Sequence, residues 1–182
     1  MFLLEIYRFD ASGGRMAHAT MEETAEPVSA ERMRRVLGTF CTGVVVVTAM
    51  DGDEPVGMAC QSFSSLSLDP PLVCFCPGSA STTWPRVRAA GRFAVNVLAA
   101  DQGEVCRAMA GRDKFAGVSW TPGPGGSPLL DGALAWIEAD IDQELPGGDH
   151  TIVVGRVRDL AAGRAERPLL FFRGGFGHAL QD

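Results

Sequence analysis

Between residues 42 and 172, short apolar runs follow one another, fenced by glycine, proline and aspartate. "TGVVVVTAM" (42–50) is β-branched, "DGDEP" (51–55) has turn chemistry and "VGMACQSF" (56–63) is extended again, so the pattern predicts a hairpin. The serine-rich residues that follow are expected to continue its second strand. "PLVCFC" (71–76), fenced by prolines, predicts a third strand and "RFAVNVLA" (92–99) a fourth. Further on, Ala135, Ile137, Ala139 and Ile141 alternate with Glu138, Asp140, Asp142 and Glu144. That is the period of a strand with one buried and one solvated face. "PGGD" then turns the chain, "HTIVVGRVRDL" (150–160) returns as its partner strand, and "PLLFF" (168–172) closes the series ahead of the Gly-rich "RGGFGHAL".

Helical spacing is rarer. Behind a Ser29 cap, Met33, Val36, Leu37 and Phe40 fall at i, i+3, i+4, i+7 and predict one buried helix face ending near Gly38. A second helix is expected to start at a Ser81 cap, tolerate Pro85 in its first turn and stop at Gly91. A third begins at the Asp101 to Glu104 capping-box spacing and ends on Gly111. Residues 112–128 read as loop, because "TPGPGGSP" sustains neither regular structure. Six or more strands joined mostly by short turns predict a mainly β, antiparallel barrel with a few short flanking helices, not a doubly wound parallel sheet.

Residues 11–28 are polar and aperiodic, so 1–28 read as a mobile arm ahead of one domain over 29–182. Met16 and Met21 inside the arm are alternative starts, and "MFLLEIYRFD" lacks the positive n-region of a signal peptide. At 182 residues, 46% of them hydrophobic, the chain suffices for one core. A net charge of −6 argues against nucleic acid or an anionic membrane as partner, and no apolar run approaches the about 18 residues of a membrane-spanning helix. Five cysteines, an odd number at irregular spacing, fit reduced thiols in a cytoplasmic protein better than a disulfide framework. Cys74 and Cys76 share a strand face, but no second ligand pair accompanies them, so no metal site is expected.

The usual nucleotide, protease and hydrolase signatures are absent: no G-x-G-x-x-G after a strand, Walker loop, H-E-x-x-H or G-x-S-x-G. Other residues carry the candidate chemistry. His150 stands where a turn meets a strand, while His18 and His178 lie near the ends. Asn96 interrupts an apolar strand, so its amide needs partners, a tied loop or a ligand. In "GSASTT" (78–83) small residues and hydroxyls precede a helix start, which suits an anion. Arg112 and Lys114 offer the local positive charge that an acidic protein needs to hold a phosphate. The hydroxyls of Ser62, Ser64, Ser65 and Ser67 need either water or a partner.

In order, "FCTGVVVVTA", "GMACQSFSSLSLDPPLV", "GSASTTW", "GRFAVNVL", "RDKF", "GDHTIVVGRV" and "PLLFFRGGFG" resemble the short-chain flavin reductase family, the reductase components of two-component flavin monooxygenases. The resemblance runs from about residue 30 to 180 and is carried most by the S-F-x-S-x-S-L-D-P-P element. It implies an FMN-binding split β-barrel, a homodimer, reduction of FMN or FAD by NADH or NADPH, and a separate monooxygenase that receives the reduced flavin. It further implies that Gly57, Ala59, Cys60, Gln61, Ser62, Phe63, Ser64, Ser65 and Ser67 run beside the isoalloxazine and ribityl chain. By the same carry-over Ser79, Ser81 and Thr82 would lie near the phosphate, and Asn96, Lys114 and Phe115 near the flavin. His150 would act in the nicotinamide cleft, with Arg173, Gly174 and Gly175 around it. The chain departs from the family at Ala59 and Cys60, where Thr-Ala is common, and at Phe172 and Phe176, where tyrosines are frequent. Two alternatives stay open on the same barrel: a non-catalytic flavin-binding or redox-sensing protein, and a relative of pyridoxamine-phosphate oxidase.

Overall fold

The structure, a computed structural model, describes residues 28–178. The expected arm, with Met16, His18 and Met21, lies outside the described residues save for Val28. The helices are α1 (Ala30–Leu37), α2 (Trp84–Ala90) and α3 (Gly103–Ala108). The strands before α2 are β1 (Thr42–Gly43), β2 (Val45–Asp51), β3 (Glu54–Cys60), β4 (Ser64–Leu68) and β5 (Pro71–Phe75). After it come β6 (Arg92–Val97), β7 (Trp120–Pro122), β8 (Pro128–Leu130), β9 (Ala135–Gly147), β10 (His150–Ala162), β11 (Leu169–Phe172) and β12 (Gly175–His178).

Seven strands form one antiparallel sheet in the order β3-β2-β6-β9-β10-β5-β4. Its two edge strands are consecutive in sequence, joined only by residues 61–63, so the sheet must curl until its ends meet at that corner. This curled but unclosed sheet is the antiparallel barrel that the strand pattern predicted, in the split form that the resemblance implied. Register shifts in the long β9–β10 ladder, between Val154 and Gly155 and between Val157 and Asp159, supply local bend and twist. Gly155 allows the packing inside: a Cβ there would stand 2.5 Å from Phe93 Cζ. Phe93 and Phe75, both fully buried, meet edge to face at 5.1 Å, and Trp84 of α2 caps Phe75 at 5.7 Å. Apolar residues on both faces of β2 are buried: Val45, Val47 and Ala49 in this core, and Val46, with Val44 just ahead of the strand, in a second one with Leu98, Met109, Leu130 and Leu169.

The hairpin β2–β3 and the strands at 71–75 and 92–97 follow the sequence pattern. Six local expectations are corrected. The serine segment does not continue β3; it is a separate edge strand, β4, paired with β5. Thr83, not Ser81, is the N-cap of α2, although Ser81 Oγ still accepts from Trp84 N at 3.1 Å and Thr83 N at 3.3 Å. No capping box starts α3, because Asp101 pairs with Arg164 and Glu104 with Arg107. The supposed loop 112–128 contains β7, which pairs with β8. Glu138 is not on a solvated face: it is 1% exposed and accepts from Gly125 N at 2.7 Å and Ser127 N at 3.0 Å, because the glycine-rich loop folds over it. Asp140, Asp142 and Glu144 stay nearer the surface, each paired with an arginine. Last, the α1 face is uncovered, with Met33, Val36, Leu37 and Phe40 between 48% and 75% exposed.

Like β7 and β8, the last strand had no counterpart in the sequence pattern. Arg173 (φ 48°) and Gly174 (φ 82°) make a two-residue left-handed turn, and the "RGGFG" stretch doubles back as β12 on β11.

Candidate functional site

A groove runs along the outer edge of β3, between it and the chain from Pro77 to Thr83, in two adjoining compartments. The first, about 660 Å3, has Gly57 in one wall and Thr82, Thr83, Arg112, Lys114 and Phe115 around it. The second, about 460 Å3, takes up the next residues of the same strand, Met58 to Ser62, and faces Cys76, Gly78, Ser81, Cys106 and His150.

The first compartment is built around a missing side chain. A Cβ on Gly57 would stand 3.1 Å from Met109 Sδ and 3.3 Å from Phe115 Cζ, so glycine is what lets Met109 and Phe115 pack directly against the strand in this wall. That ring is held edge to face by Trp120 at 6.5 Å. Lys114 Nζ donates to Gly57 O at 3.0 Å and to Thr83 Oγ1 at 2.6 Å, which leaves one N–H for a ligand. Burial, helped by neighbouring Arg86, pushes Lys114 below the usual lysine range. Arg86 itself is taken up by Asp51 and Glu54, so Lys114 and Arg112 supply the positive charge that faces the groove.

The second compartment is polar at its far end. His150 Nδ1 pairs with Asp149 Oδ1 at 2.7 Å, and this pairing holds the Asp149 carboxyl below its usual range. The ring's Nε2 lies beside Gly78, 3.8 Å from where a Cβ would stand. Bonds from Ser79 N to Asp149 O (2.8 Å) and from Thr151 N to Pro77 O (3.0 Å) fix that approach. Ser62 Oγ accepts from Cys76 N at 2.8 Å and touches Cys60 Sγ at 3.1 Å, so this hydroxyl locks the barrel corner.

The structure therefore brings Gly57, Ala59, Cys60, Gln61, Ser62, Ser81, Thr82, Lys114, Phe115 and His150 to one groove. Phe63 turns inward against the core. Ser64, Ser65 and Ser67 stand next door on β4, outside the groove lining, where Ser64 Oγ donates to Ser65 O at 3.0 Å. Ser79 is exposed at the groove's shoulder. Asn96 is a correction to the ligand reading. It is fully buried, its Nδ2 donates to Thr48 Oγ1 (3.0 Å) and Val46 O (3.2 Å), and its Oδ1 accepts from Leu130 N (2.8 Å). Both ends of the amide are used in tying β8 to the barrel. Arg173 and Gly174 border a different depression beside α1, with Arg34 and Arg35, and Gly175 opens β12.

Gly78 and Thr83, the ends of the "GSASTT" stretch, also line the groove. Met58, Cys106 and Asp149 shape the groove or its edge and were not singled out in the sequence, where only Asp149, next to His150, had a local signal. Another depression, about 420 Å3, is lined by Arg92, Asp140 and Ser127, and its charged pair is already joined at 2.8 Å. Among the described residues no three His, Cys, Asp or Glu side chains are placed to hold a metal ion.

A curled antiparallel sheet, unclosed and grooved along one edge strand, is the architecture of a split barrel. The profile described as flavin reductase like domain matches residues 37–179, and the chain belongs to that family. It is 51% identical over 152 residues to a reductase subunit of a flavin-dependent monooxygenase from Rhodococcus jostii, covering 82% of this chain and 78% of that protein. Among solved structures, nitrilotriacetate monooxygenase component B from Mycobacterium thermoresistibile superposes with a TM-score of 0.81 at 47% identity, over 82% of this chain and 86% of that one. The NADH:FAD oxidoreductase of Streptomyces globisporus, solved with NAD and FAD fragments, gives 0.79 at 41% identity, over 87% and 99%.

Proposed function

We infer that this chain reduces flavin, FAD or FMN, with NADH or NADPH and releases the reduced flavin to a separate monooxygenase. The observation that carries the reading is the β3 groove, where Phe115 packs against Gly57 and Lys114 reaches in beside Thr83. When both cofactors are bound, the nicotinamide supplies a hydride from C4 to flavin N5. The chain's own task is to hold two flat rings in contact and to favour the charge that flavin gains.

In this reading Lys114, Arg112, Ser81 and Thr82, with Ser79 at the shoulder, attract the flavin phosphate. The edge from Gly57 to Phe63 lies along the ring system, with Ser64, Ser65 and Ser67 as its rim. His150, oriented by Asp149, sits at the nicotinamide end, and Arg173, Gly174 and Gly175 flank it across α1. No acid–base dyad is required, because the cofactors carry the electronics. NADH is the first donor to test, since the Streptomyces relative is an NADH:FAD oxidoreductase.

The exposed face of α1 supports a homodimer. Met33, Val36, Leu37 and Phe40 have the spacing of a buried stripe, and a second copy of the chain is the proposed cover. The reduced thiols and the supply of NADH point to the cytoplasm, and no described helix is long and apolar enough to cross a membrane.

The test is aerobic oxidation of NADH and of NADPH by the purified protein, with and without added FAD or FMN. Turnover that rises with added flavin is the expected result. Flavin binding with neither nicotinamide consumed above background would overturn the reading.

A further inference from the structure

Three of the five cysteines line the groove, which their spacing in sequence does not suggest. Cys60, Cys76 and Cys106 line its second compartment, and Cys74 lies within electrostatic reach of Cys60 and Cys76. All are free thiols. They are not equivalent. Burial pushes the Cys74 and Cys106 thiols up, which keeps them protonated and inert. Cys60 is only half-buried, faces the groove, and has Ser62 Oγ at 3.1 Å. The single hydroxyl proton of Ser62 has a long bond to Cys76 O, 3.3 Å, and is free to turn to a Cys60 thiolate. The same oxygen accepts from Cys76 N at 2.8 Å, so one hydroxyl ties the Cys60 sulfur to the Cys76 backbone.

We propose that Cys60 and Cys76 are a peroxide-responsive thiol pair that closes into a disulfide at the wall of the groove and weakens flavin binding. The proposal rests on the reductase reading for its source of oxidant. Reduced flavin that is not handed on gives two electrons and two protons to O2, leaving oxidised flavin and H2O2 beside these thiols. The Cys60 thiolate attacks one peroxide oxygen, the O–O bond breaks, and the departing hydroxide takes a proton as water, leaving a sulfenic acid. Cys76 sulfur then attacks the Cys60 sulfur, the S–O bond breaks, and a second water leaves with the Cys76 proton. The net change is two thiols and one H2O2 to one disulfide and two waters. The new bond draws the end of β3 toward the end of β5, displaces Ser62 from between them and narrows the second compartment.

The experiment treats the purified full chain with H2O2, without nicotinamide or flavin, then maps thiols by peptide mass and follows flavin affinity by fluorescence. The expected result is a Cys60–Cys76 peptide pair lighter by two hydrogens and a flavin Kd raised at least tenfold, both reversed by dithiothreitol. In Cys76→Ser the bond cannot close, and a sulfenic-acid-trapping diketone should label Cys60. Three results would each overturn the proposal: both thiols still free when exposed Cys41 is already oxidised, Cys60 oxidised in the wild type without closing onto Cys76, or a disulfide that leaves flavin affinity unchanged. Failure of the reductase reading shows instead as no nicotinamide turnover by the untreated, reduced protein, which leaves the thiol map readable.

Discussion

Lys114→Met removes one ammonium from the groove and keeps an unbranched side chain. In the folded chain Lys114 Nζ donates at 3.0 Å to Gly57 O and at 2.6 Å to Thr83 Oγ1. Bonds from a charged donor contribute about 1.5–3 kcal/mol each when dry, and solvent screening at this half-buried position brings the pair to about 1–2 kcal/mol of stability in all. A flavin phosphate oxygen about 4 Å from the ammonium would interact by about 4 kcal/mol at an effective dielectric of 20; screening reduces that to about 1.4 kcal/mol, or tenfold in affinity. Steady-state kinetics with varied flavin at saturating NADH should therefore show KM up about tenfold and kcat within about threefold. The pH dependence has a definite sign. Because Lys114 titrates below the usual lysine range, raising the pH through that lowered value removes the charge, and flavin KM should climb before ordinary lysines titrate. Folding is affected in the opposite sense: in that window the unfolded chain holds the proton that the native chain has lost, so stability rises with pH. An unchanged flavin KM in Lys114→Met, or the same alkaline limb in variant and wild type, would refute this placement of the lysine.

Other perturbations reach separate parts of the account. Glu138→Gln should lose about 1–3 kcal/mol in urea unfolding, since an amide leaves one of the two buried N–H groups of Gly125 and Ser127 facing another donor, while kcat stays unchanged; equal stability would mean that the carboxylate does not hold that loop. Gly155→Ala drives a Cβ into the Phe93 ring and should cost about 1–3 kcal/mol of overpacking, read as a lower urea midpoint. Asp140→Asn should lessen acid sensitivity. Arg92 first, then Arg158, holds the wild-type carboxylate below its ordinary range, so its contribution is full above the unfolded pKa and is lost as pH falls through the folded one. Leu37→Asp places a charge on the uncovered α1 face and should shift the protein to monomer in sedimentation; a monomeric wild type would dispose of the dimer.

Local rules served where the chain's own covalent geometry decides. The two-residue turn at 52–53 between apolar runs gave the β2–β3 hairpin, and Gly91, at φ 69°, ended α2 where a left-handed cap was expected. They failed where distant segments decide. Strict alternation put Glu138 in water, yet the loop at 123–127 brings two N–H groups onto it. For Asn96 the tied loop that the residue pattern allowed is what the structure shows, with Thr48 and Leu130, 48 and 34 residues away, as partners in place of the flavin that the resemblance implied. Likewise nothing local indicates that Cys106 shares a groove with Cys60 and Cys76, because barrel closure alone juxtaposes them. The apolar stripe of α1 was legible as a face to be covered, but the described fold provides no cover for it. The family was readable because its motifs keep their order, and the groove gathers ten of the residues those motifs marked.

The most direct test of the central claim is anaerobic. With NADH in excess and FAD at many equivalents over protein, bleaching of the flavin absorbance counts how much flavin each protein molecule reduces. A reductase that treats flavin as a diffusible substrate bleaches the whole pool. Bleaching that stops at one flavin per chain, or none at all, would contradict the account.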